Sequence, residues 1–320
     1  MSKRLRRPES PPRAHPPSGG RRASACASAR IGPVVLTAAF ATLAAALPAQ
    51  TAHRTAHGSA HAATPKVEVA PGTLVRWAAP GTKRCSMAGR SWKAMDDACY
   101  YPIDVLHKPA TMAVARSNGK KQESARIVVV ESPYGTEDVT LPDIPQAHPT
   151  PEDEARNSSE QERVAAVWKR KPGPARFSLP LGDPAKQLPE GKTFGWNRLF
   201  NGQPADQPHM GADYAVAEGT PILAAADGTV ALAEEMFYPG NGVILDHGDS
   251  LFTVYYHLSE IQVQKGQEVK KGERIGLAGH TGRATGPHLF FEVRWRGARI
   301  DPQFVLMDVE KIPFVPGGQP

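Results

Sequence analysis

The C-terminal part of the sequence is a series of short β-forming runs separated by tight-turn residues, without any stretch of helical hydrophobic period. Ile222–Ala225 and Thr229–Leu232 lie on either side of the turn pair Asp227-Gly228. Leu251–Leu258 alternates in side-chain character, which is typical of a strand. These features predict an all-β fold for residues 177–310.

The preceding region, residues 66–148, contains a second set of β-forming runs separated by turn residues. The runs are Thr73–Trp77, Thr111–Ala115, Ala125–Glu131 and Val139–Leu141. Their lengths and their content of β-branched and aromatic residues are typical of strands. The region is therefore predicted to be a separate small β domain.

The charge pattern changes between these two β-rich regions, in residues 149–174. This segment opens with Glu152, Asp153 and Glu154 and closes with Lys169, Arg170 and Lys171. Acidic residues at the start of a helix and basic residues at its end complement the helix dipole. We therefore predict a connecting helix, which Pro172-Gly173-Pro174 would end.

The N-terminus carries the pattern of an export signal. Residues 1–30 hold eight Lys and Arg against one acidic residue, and residues 31–49 form an uncharged, largely apolar run. A basic segment followed by an apolar one predicts secretion, although a run of this length could also remain as a membrane anchor. We assign residues 1–50 as a signal peptide or signal anchor and residues 51–65 as a linker. The predicted location is the periplasm or cell envelope.

The net charge of +6 comes from this N-terminal segment. Removing its eight basic residues and one acidic residue from totals of 38 and 32 leaves 30 basic and 31 acidic residues. A nearly neutral remainder lacks the basic surface that nucleic-acid binding requires. We therefore predict no nucleic-acid partner, and a membrane contact only through an uncleaved anchor.

Two of the three cysteines, Cys85 and Cys99, lie in the predicted small β domain, whereas Cys26 precedes the apolar run. In an exported protein, a pair of this kind is typically a disulfide. The prediction is a Cys85–Cys99 bond that closes a short loop, and the alternative is a reactive thiol.

The candidate chemistry lies in ordered motifs that begin around the pair His209 and Asp213. The motifs are Phe194-Gly195, Asn201-Gly202, His209–Asp213, Glu218–Ala224, Asp227–Val230, Gly242–Gly248, Tyr255–Ser259, Val263–Gly266 and Gly279–His288. Over about 125 residues this series resembles the lysostaphin/LytM-like zinc endopeptidases, which cut peptide cross-links of peptidoglycan. The resemblance implies an antiparallel β-sheet domain.

The resemblance also implies roles for four residues. His209 and Asp213 would bind Zn²⁺, and His257 and His288 would be the catalytic residues beside the water and the scissile carbonyl. The family has a further metal ligand two residues after the position of His288, and here that residue is Phe290. A phenyl ring has no lone pair to donate, so zinc occupancy is in doubt.

The two-residue period of a strand predicts which side chains share a face. In the last strong strand, Leu289, Phe291, Val293 and Trp295 form an apolar face, which leaves His288, Phe290, Glu292 and Arg294 on the face that carries the site. By the same period, His257 is expected to share a face with Tyr255, whose hydroxyl could donate to an oxyanion. A simple packing role for Tyr255 is equally compatible with the sequence.

Three substitutes for the missing ligand are possible: a histidine of the catalytic pair, Glu292, or His280 from its loop. With a replacement, the chain is expected to be an exported zinc metalloendopeptidase that acts on peptidoglycan. Without one, the alternative is a catalytically degenerate LytM-like domain that binds the cell wall or regulates another hydrolase, such as a cell-wall amidase.

Overall fold

The computed structural model of the chain describes residues 64–318. The predicted signal peptide or anchor, and all but the end of the predicted linker, lie outside the described residues. Within residues 64–318, no helix has both the length and the apolar character needed to cross a membrane.

The first region forms two sheets, as the β-forming runs predict. Its strands are β1 (Lys66–Val69), β2 (Leu74–Ala78), β3 (Arg84–Met87), β4 (Arg90–Lys93), β5 (Ala98–Pro102), β6 (Ala110–Ser117), β7 (Gln122–Val129) and β8 (Thr136–Val139). One sheet has the order β1-β7-β6-β3-β4, and β2 pairs with β5 in the other. The strand β8 belongs to neither of these sheets and pairs with a strand further along the chain.

The structure contains the predicted disulfide between Cys85 and Cys99. Cys85 lies on β3 of the five-stranded sheet and Cys99 on β5 of the two-stranded sheet, so the bond joins the two sheets. Both residues are almost completely buried, in a cluster with Trp77, Tyr101 and Ile127. The bond therefore lies inside the hydrophobic core of this region.

Replacing both cysteines with alanine is expected to lower the free energy of unfolding by about 3 kcal/mol, because the bond closes a loop of 14 residues. The measurement is urea unfolding of wild type and of the Cys85→Ala/Cys99→Ala variant. Mass spectrometry of non-reduced peptides from wild type should show the linked pair. Free thiols in the folded protein would contradict the assignment.

The predicted connecting helix is present as α1 (Pro151–Trp168). Thr150 caps its first turn, since the Thr150 hydroxyl accepts from the Asp153 backbone N–H and the Asp153 carboxylate accepts from the Thr150 backbone N–H. The acidic residues lie in the first turn as expected. The basic residues 169–171 begin at the C-cap, Lys169, directly after the last helical residue.

The helix α1 packs against a sheet rather than only bridging two regions. Val164 and Val167 are buried, and the Trp168 ring lies 5.3 Å from the Phe252 ring. The almost fully buried Glu160 carboxylate accepts from the Phe237 backbone N–H at 2.8 Å. Apolar contacts and this hydrogen bond together hold the helix on the sheet.

The C-terminal region is a β-sheet domain. Its strands are β9 (Asn197–Phe200), β10 (Gln203–Pro204), β11 (Ala212–Tyr214), β12 (Pro221–Leu223), β13 (Gly228–Met236), β14 (Gly240–Asp246), β15 (Leu251–Ile261), β16 (Glu268–Val269), β17 (Arg274–Ala278), β18 (Leu289–Trp295) and β19 (Ala298–Ile300). A short helix α2 (Gln303–Leu306) follows, and 3-10 turns occur at Pro145–Ala147 and Val309–Lys311.

The main sheet has nine strands, with the path β11-β18-β15-β14-β13-β16, and β12, β17 and β19 at its sides. All pairings in this sheet are antiparallel. The smaller sheet β10-β9-β8 includes the last strand of the first region. The predicted all-β class is confirmed.

The strand β18 separates the hydrophobic core from the face that carries the site. Leu289, Phe291, Val293 and Trp295 are fully buried in the largest apolar cluster, which confirms the predicted face. On the opposite face, Phe290 and Glu292 are also largely buried, and Phe290 belongs to the cluster that includes Val164 and Val167 of α1. The helix is the reason that this face is less exposed than the alternating pattern suggests.

The two predicted β domains share part of their core. The Trp295 ring of β18 lies 5.6 Å from the Tyr100 ring of β5. The C-terminal segment returns to the first region, where the Arg76 backbone N–H donates to the Pro313 carbonyl and the Val315 N–H donates to the Arg76 carbonyl. The domain boundaries at 66–148, 149–174 and 177–310 stay predictions.

Candidate functional site

The pairing of β11 with β18 brings the predicted metal ligands to the position of Phe290. Asp213 on β11 is directly opposite Phe290 on β18, and His209 precedes β11 by three residues. His288 is the residue before β18, where it bridges to Gly279. His209, Asp213 and His288, of which the first and last are 79 positions apart in sequence, therefore meet at one edge of the sheet.

Two imidazole nitrogens and one carboxylate oxygen converge at this edge. His209 Nε2 lies 3.2 Å from Asp213 Oδ1, and His288 Nε2 lies 3.6 Å from the same oxygen. His209 Nε2 and Asp213 Oδ1 are both buried and have no hydrogen-bond partner within the described residues. Buried polar atoms without partners are uncommon in folded proteins, and they indicate a place prepared for a further group.

The three site histidines share one orientation. In each ring Nδ1 faces a backbone carbonyl: His209 faces Thr193 at 3.1 Å, His257 faces Thr281 at 2.8 Å, and His288 faces Gly286 at 2.8 Å. A ring that donates from Nδ1 leaves Nε2 as the free nitrogen. This is the arrangement by which backbone groups orient metal-binding or catalytic histidines.

His257 reaches the site through an irregular backbone. Its φ of 62° is in the left-handed region, and its backbone N–H donates to the Pro239 carbonyl. The irregularity interrupts the two-residue period, so His257 lies on the same side as Tyr256, near the ring of His288 at 4.8 Å. The prediction that His257 shares a face with Tyr255 is therefore wrong.

Tyr255 is not available to a ligand. It is fully buried in the main core, and its hydroxyl oxygen accepts from the Ala225 backbone N–H at 2.9 Å and is hydrogen-bonded to Thr253 at 3.0 Å. Of the two predicted roles, the packing role is the one that the structure supports.

Burial, followed by the charge of His288, lowers the pKa of His257 to about 3, which favours neutral His257.

Phe290 occupies the position where the family resemblance expects a third metal ligand. Its ring stacks on Tyr256 at 5.4 Å and contacts the His209 ring edge-to-face at 5.1 Å. Phe290 is also part of the apolar cluster beneath α1. The side chain therefore contributes packing energy at a place where a metal site needs a donor atom.

An arginine contacts the carboxylate of the predicted metal pair. Arg198 on β9 donates to Asp213 Oδ2 at 2.6 Å and to the Thr193 hydroxyl at 2.9 Å. Burial alone would raise the pKa of Asp213, but His209 and Arg198 together hold it below its ordinary value. The charge of the Asp213 carboxylate is thus balanced by a residue of the chain itself.

In the part of the chain that the structure describes, neither His280 nor Glu292 completes a three-donor group with His209 and Asp213. His280 is exposed and its Nδ1 lies 3.3 Å from the Glu218 carboxylate. Glu292 is largely buried at the floor of the cavity that adjoins the site, and burial raises its pKa to about 7. Within residues 64–318, no group of three His, Cys, Asp or Glu side chains is arranged to hold a metal ion.

The donor set therefore does not fit the zinc site that the fold family implies. A zinc hydrolase holds its ion with three protein ligands and keeps the fourth position for water. His209 Nε2 and Asp213 Oδ1 supply two unsatisfied donors, and the phenyl ring of Phe290 supplies none. The structure retains the surroundings of such a site and lacks one of its ligands.

A cavity of about 890 Å³ adjoins these residues. One wall is α1 and the segment before it, a second is β9 with the loop that leads to His209, and the floor includes Tyr256, Phe290 and Glu292. This volume is in the range of sites that bind a small molecule or a short peptide. The histidine cluster therefore adjoins a groove that is large enough for a small molecule or a short peptide.

Residues 207–302 match the model of Peptidase family M23. The Peptidoglycan DD-endopeptidase ShyA of Vibrio cholerae is 48% identical over 94 residues, which are 29% of this chain and 22% of that protein. The DD-carboxypeptidase/endopeptidase Mpg of Neisseria gonorrhoeae is 39% identical over 104 residues, 32% of this chain and 24% of that protein. The match thus spans about a quarter or less of these relatives.

A crystal structure of a protein from Pseudomonas aeruginosa that carries the peptidase M23 designation is similar over a longer range. It superposes with a TM-score of 0.55 and 27% identity, over 74% of this chain and 94% of that chain. The similarity therefore extends beyond residues 207–302 into the preceding region. The C-terminal domain of this chain is a LytM-like domain of peptidase family M23, which confirms the resemblance seen in the sequence.

Arg198, Thr193 and the position of α1 are parts of the site that the sequence did not predict. Arg198 lies between two motifs of the series, Phe194-Gly195 and Asn201-Gly202, and that location was the available signal. Nothing in the sequence indicates that its guanidinium reaches a carboxylate 15 residues away. The role of the helix as a wall of the groove likewise depends on tertiary packing.

Proposed function

We propose that this chain is a cell-envelope protein whose M23 domain binds the peptide part of peptidoglycan without zinc-dependent hydrolysis. The observation that carries the proposal is Phe290, an apolar side chain directly opposite Asp213 at the position of the third ligand. The relative named as a peptidoglycan DD-endopeptidase supports the substrate class. Export, which the N-terminal sequence predicts, agrees with a ligand that lies outside the cytoplasm.

The charge arrangement also supports loss of the metal. In a zinc site the ion neutralises the carboxylate ligand, whereas here Arg198 donates to the Asp213 carboxylate at 2.6 Å. A nearby positive charge also opposes binding of a dication, because like charges repel more strongly in a partly buried site. Both effects weaken zinc binding at a site that already has one donor too few.

The groove itself remains suitable for a ligand. The cavity of about 890 Å³ is lined by aromatic, charged and amide side chains, a mixture that is typical of binding sites. A peptide bound there would contact the floor at Tyr256 and Phe290. We therefore propose that binding is the retained function, and that regulation of another cell-wall hydrolase is one use of it.

A second candidate function is hydrolysis with His288 recruited as the third ligand. His288 Nε2 lies 3.6 Å from Asp213 Oδ1, and donor atoms around a tetrahedral zinc ion lie roughly 3.3 Å apart. The free Nε2 atoms of His209 and His288 favour this candidate. Its chemical disadvantage is that His257 alone would then remain for proton transfer.

Three measurements on the purified full-length protein separate the two candidates: bound zinc, co-sedimentation with peptidoglycan sacculi, and release of soluble muropeptides. We expect sedimentation with sacculi, far less than one zinc per chain, and no released fragments. Near-stoichiometric zinc would establish the hydrolase instead, provided that wild type releases muropeptides and Asp213→Ala does not. Failure to sediment with sacculi would contradict binding as the retained function.

A further inference from the structure

Arg283 is a charged residue of the groove without a charged partner. It lies in the motif Gly279–His288 and its side chain lines the cavity beside the histidine cluster. Within residues 64–318, its guanidinium group has no ion pair and no hydrogen bond to a side chain or a backbone group. Two other arginines that line the cavity are paired, Arg198 with Asp213 and Arg299 with Asp104, whereas Arg294 lies over the Trp168 ring on the side of α1.

Two aromatic rings hold the Arg283 guanidinium in place. Its Cζ atom lies 3.9 Å from the centroid of the Phe200 ring and 4.5 Å from that of the Tyr238 ring. Contacts of this kind stabilise the cation while leaving the N–H groups at the edge of the guanidinium plane free to donate. Burial lowers the pKa of Arg283, yet an arginine stays protonated at neutral pH.

The backbone around Arg283 is fixed as well. The Arg283 N–H donates to the Tyr238 carbonyl at 2.8 Å. At Gly282, with a φ of 73°, an added Cβ atom would lie 2.3 Å from the Gly240 nitrogen, so the two loops touch closely. The same loop positions the site, because the Thr281 carbonyl accepts from His257 Nδ1. The guanidinium is therefore preorganised at a set position relative to the histidines.

An acidic side chain near Arg283 does not form an ion pair with it. The Glu154 carboxylate of α1 accepts from the Tyr238 hydroxyl and forms no ion pair with Arg283. A partly buried cation without a counter-ion is costly, and a ligand that supplies the counter-charge recovers that cost. A carboxylate fits a guanidinium edge best, since two parallel hydrogen bonds form at once.

From these contacts we infer that Arg283 is a binding residue for a free carboxylate of the peptide ligand. The inference rests on the proposed function, and it narrows the ligand class to acidic peptides. Charge-assisted hydrogen bonds of this kind contribute roughly 1.5–3 kcal/mol, which corresponds to a tenfold to hundredfold difference in affinity. Such a residue would bind peptidoglycan stem peptides with free carboxyl groups more tightly than stem peptides whose carboxyl groups are amidated.

The test is calorimetric titration of the full-length protein with two probes: a synthetic stem tetrapeptide with free carboxyl groups, and the same peptide with all carboxyl groups amidated. Wild type should bind the free form at least roughly tenfold more tightly. Arg283→Gln should lose this preference and retain its affinity for the amidated form. Arg283→Lys, which keeps the charge, should recover part of the preference.

The matched control is Arg126→Gln, because Arg126 is exposed on β7 and its loss changes the net charge equally. This variant should keep the wild-type preference, and thermal unfolding of each variant checks that it is folded. A preference that persists in folded Arg283→Gln would overturn the role of Arg283 while leaving the proposed function intact. Wild type that binds neither probe would contradict the proposed function itself.

Discussion

Phe290→His is expected to bind zinc on the order of a hundredfold or more tightly than wild type, since it adds the third protein donor beside His209 and Asp213. Asp213 and residue 290 are directly paired on adjacent strands, so the new imidazole starts at the right position. The measurements are zinc stoichiometry after dialysis and the dissociation constant from competition with a chelating dye. Muropeptide release is expected to appear in this variant only.

Two controls make this result specific. Phe290→Leu removes the aromatic ring without adding a donor and should leave zinc binding at the wild-type level. The double variant Phe290→His/Asp213→Ala should lose the gained affinity. Equal zinc binding by wild type and Phe290→His would mean that the wild-type site already has a third ligand, which is the condition of the hydrolase candidate.

Trp295→Ala is expected to lower the free energy of unfolding by about 3–5 kcal/mol. Trp295 is fully buried, and its ring packs between Tyr100 of the first region and Phe177 at the start of the C-terminal region. Truncation would therefore leave a large cavity where the two predicted domains share their core. The measurement is urea unfolding monitored by circular dichroism.

The matched control for this prediction is Trp196→Ala, the same chemical change at a ring that is 38% exposed. This substitution should alter the free energy of unfolding by no more than about 1 kcal/mol. If the two variants lost equal free energy of unfolding, the burial of Trp295 would not be the cause of the destabilisation. If Trp295→Ala unfolds in two separate steps, its ring couples two domains that fold independently.

The strand pattern and the missing donor could both be predicted from local sequence. Alternation in residues 289–295 is a local property of an extended chain, because successive side chains point to opposite faces. Leu289 and Phe291 therefore identify the core face, and Phe290 falls on the other one. The absence of a donor at residue 290 follows from the side chain alone. The all-β class could be predicted for the same reason, and the LytM-like family from the resemblance that the ordered motifs carry.

The disulfide was also predictable, because its evidence is chemical and not geometric. An exported chain with two cysteines in one small region favours their pairing in an oxidising compartment. The structure adds that Cys85 and Cys99 join two different sheets.

The positions and contacts of His257, Arg198 and Arg283 depend on the three-dimensional fold. The left-handed φ of His257 breaks the local period, and it is stabilised by a hydrogen bond to Pro239 on another loop. Arg198 reaches Asp213, and Arg283 lies between Phe200 and Tyr238, because separate strands bring these residues together. Such contacts depend on chain segments far apart in sequence, so a local pattern contains no information about them.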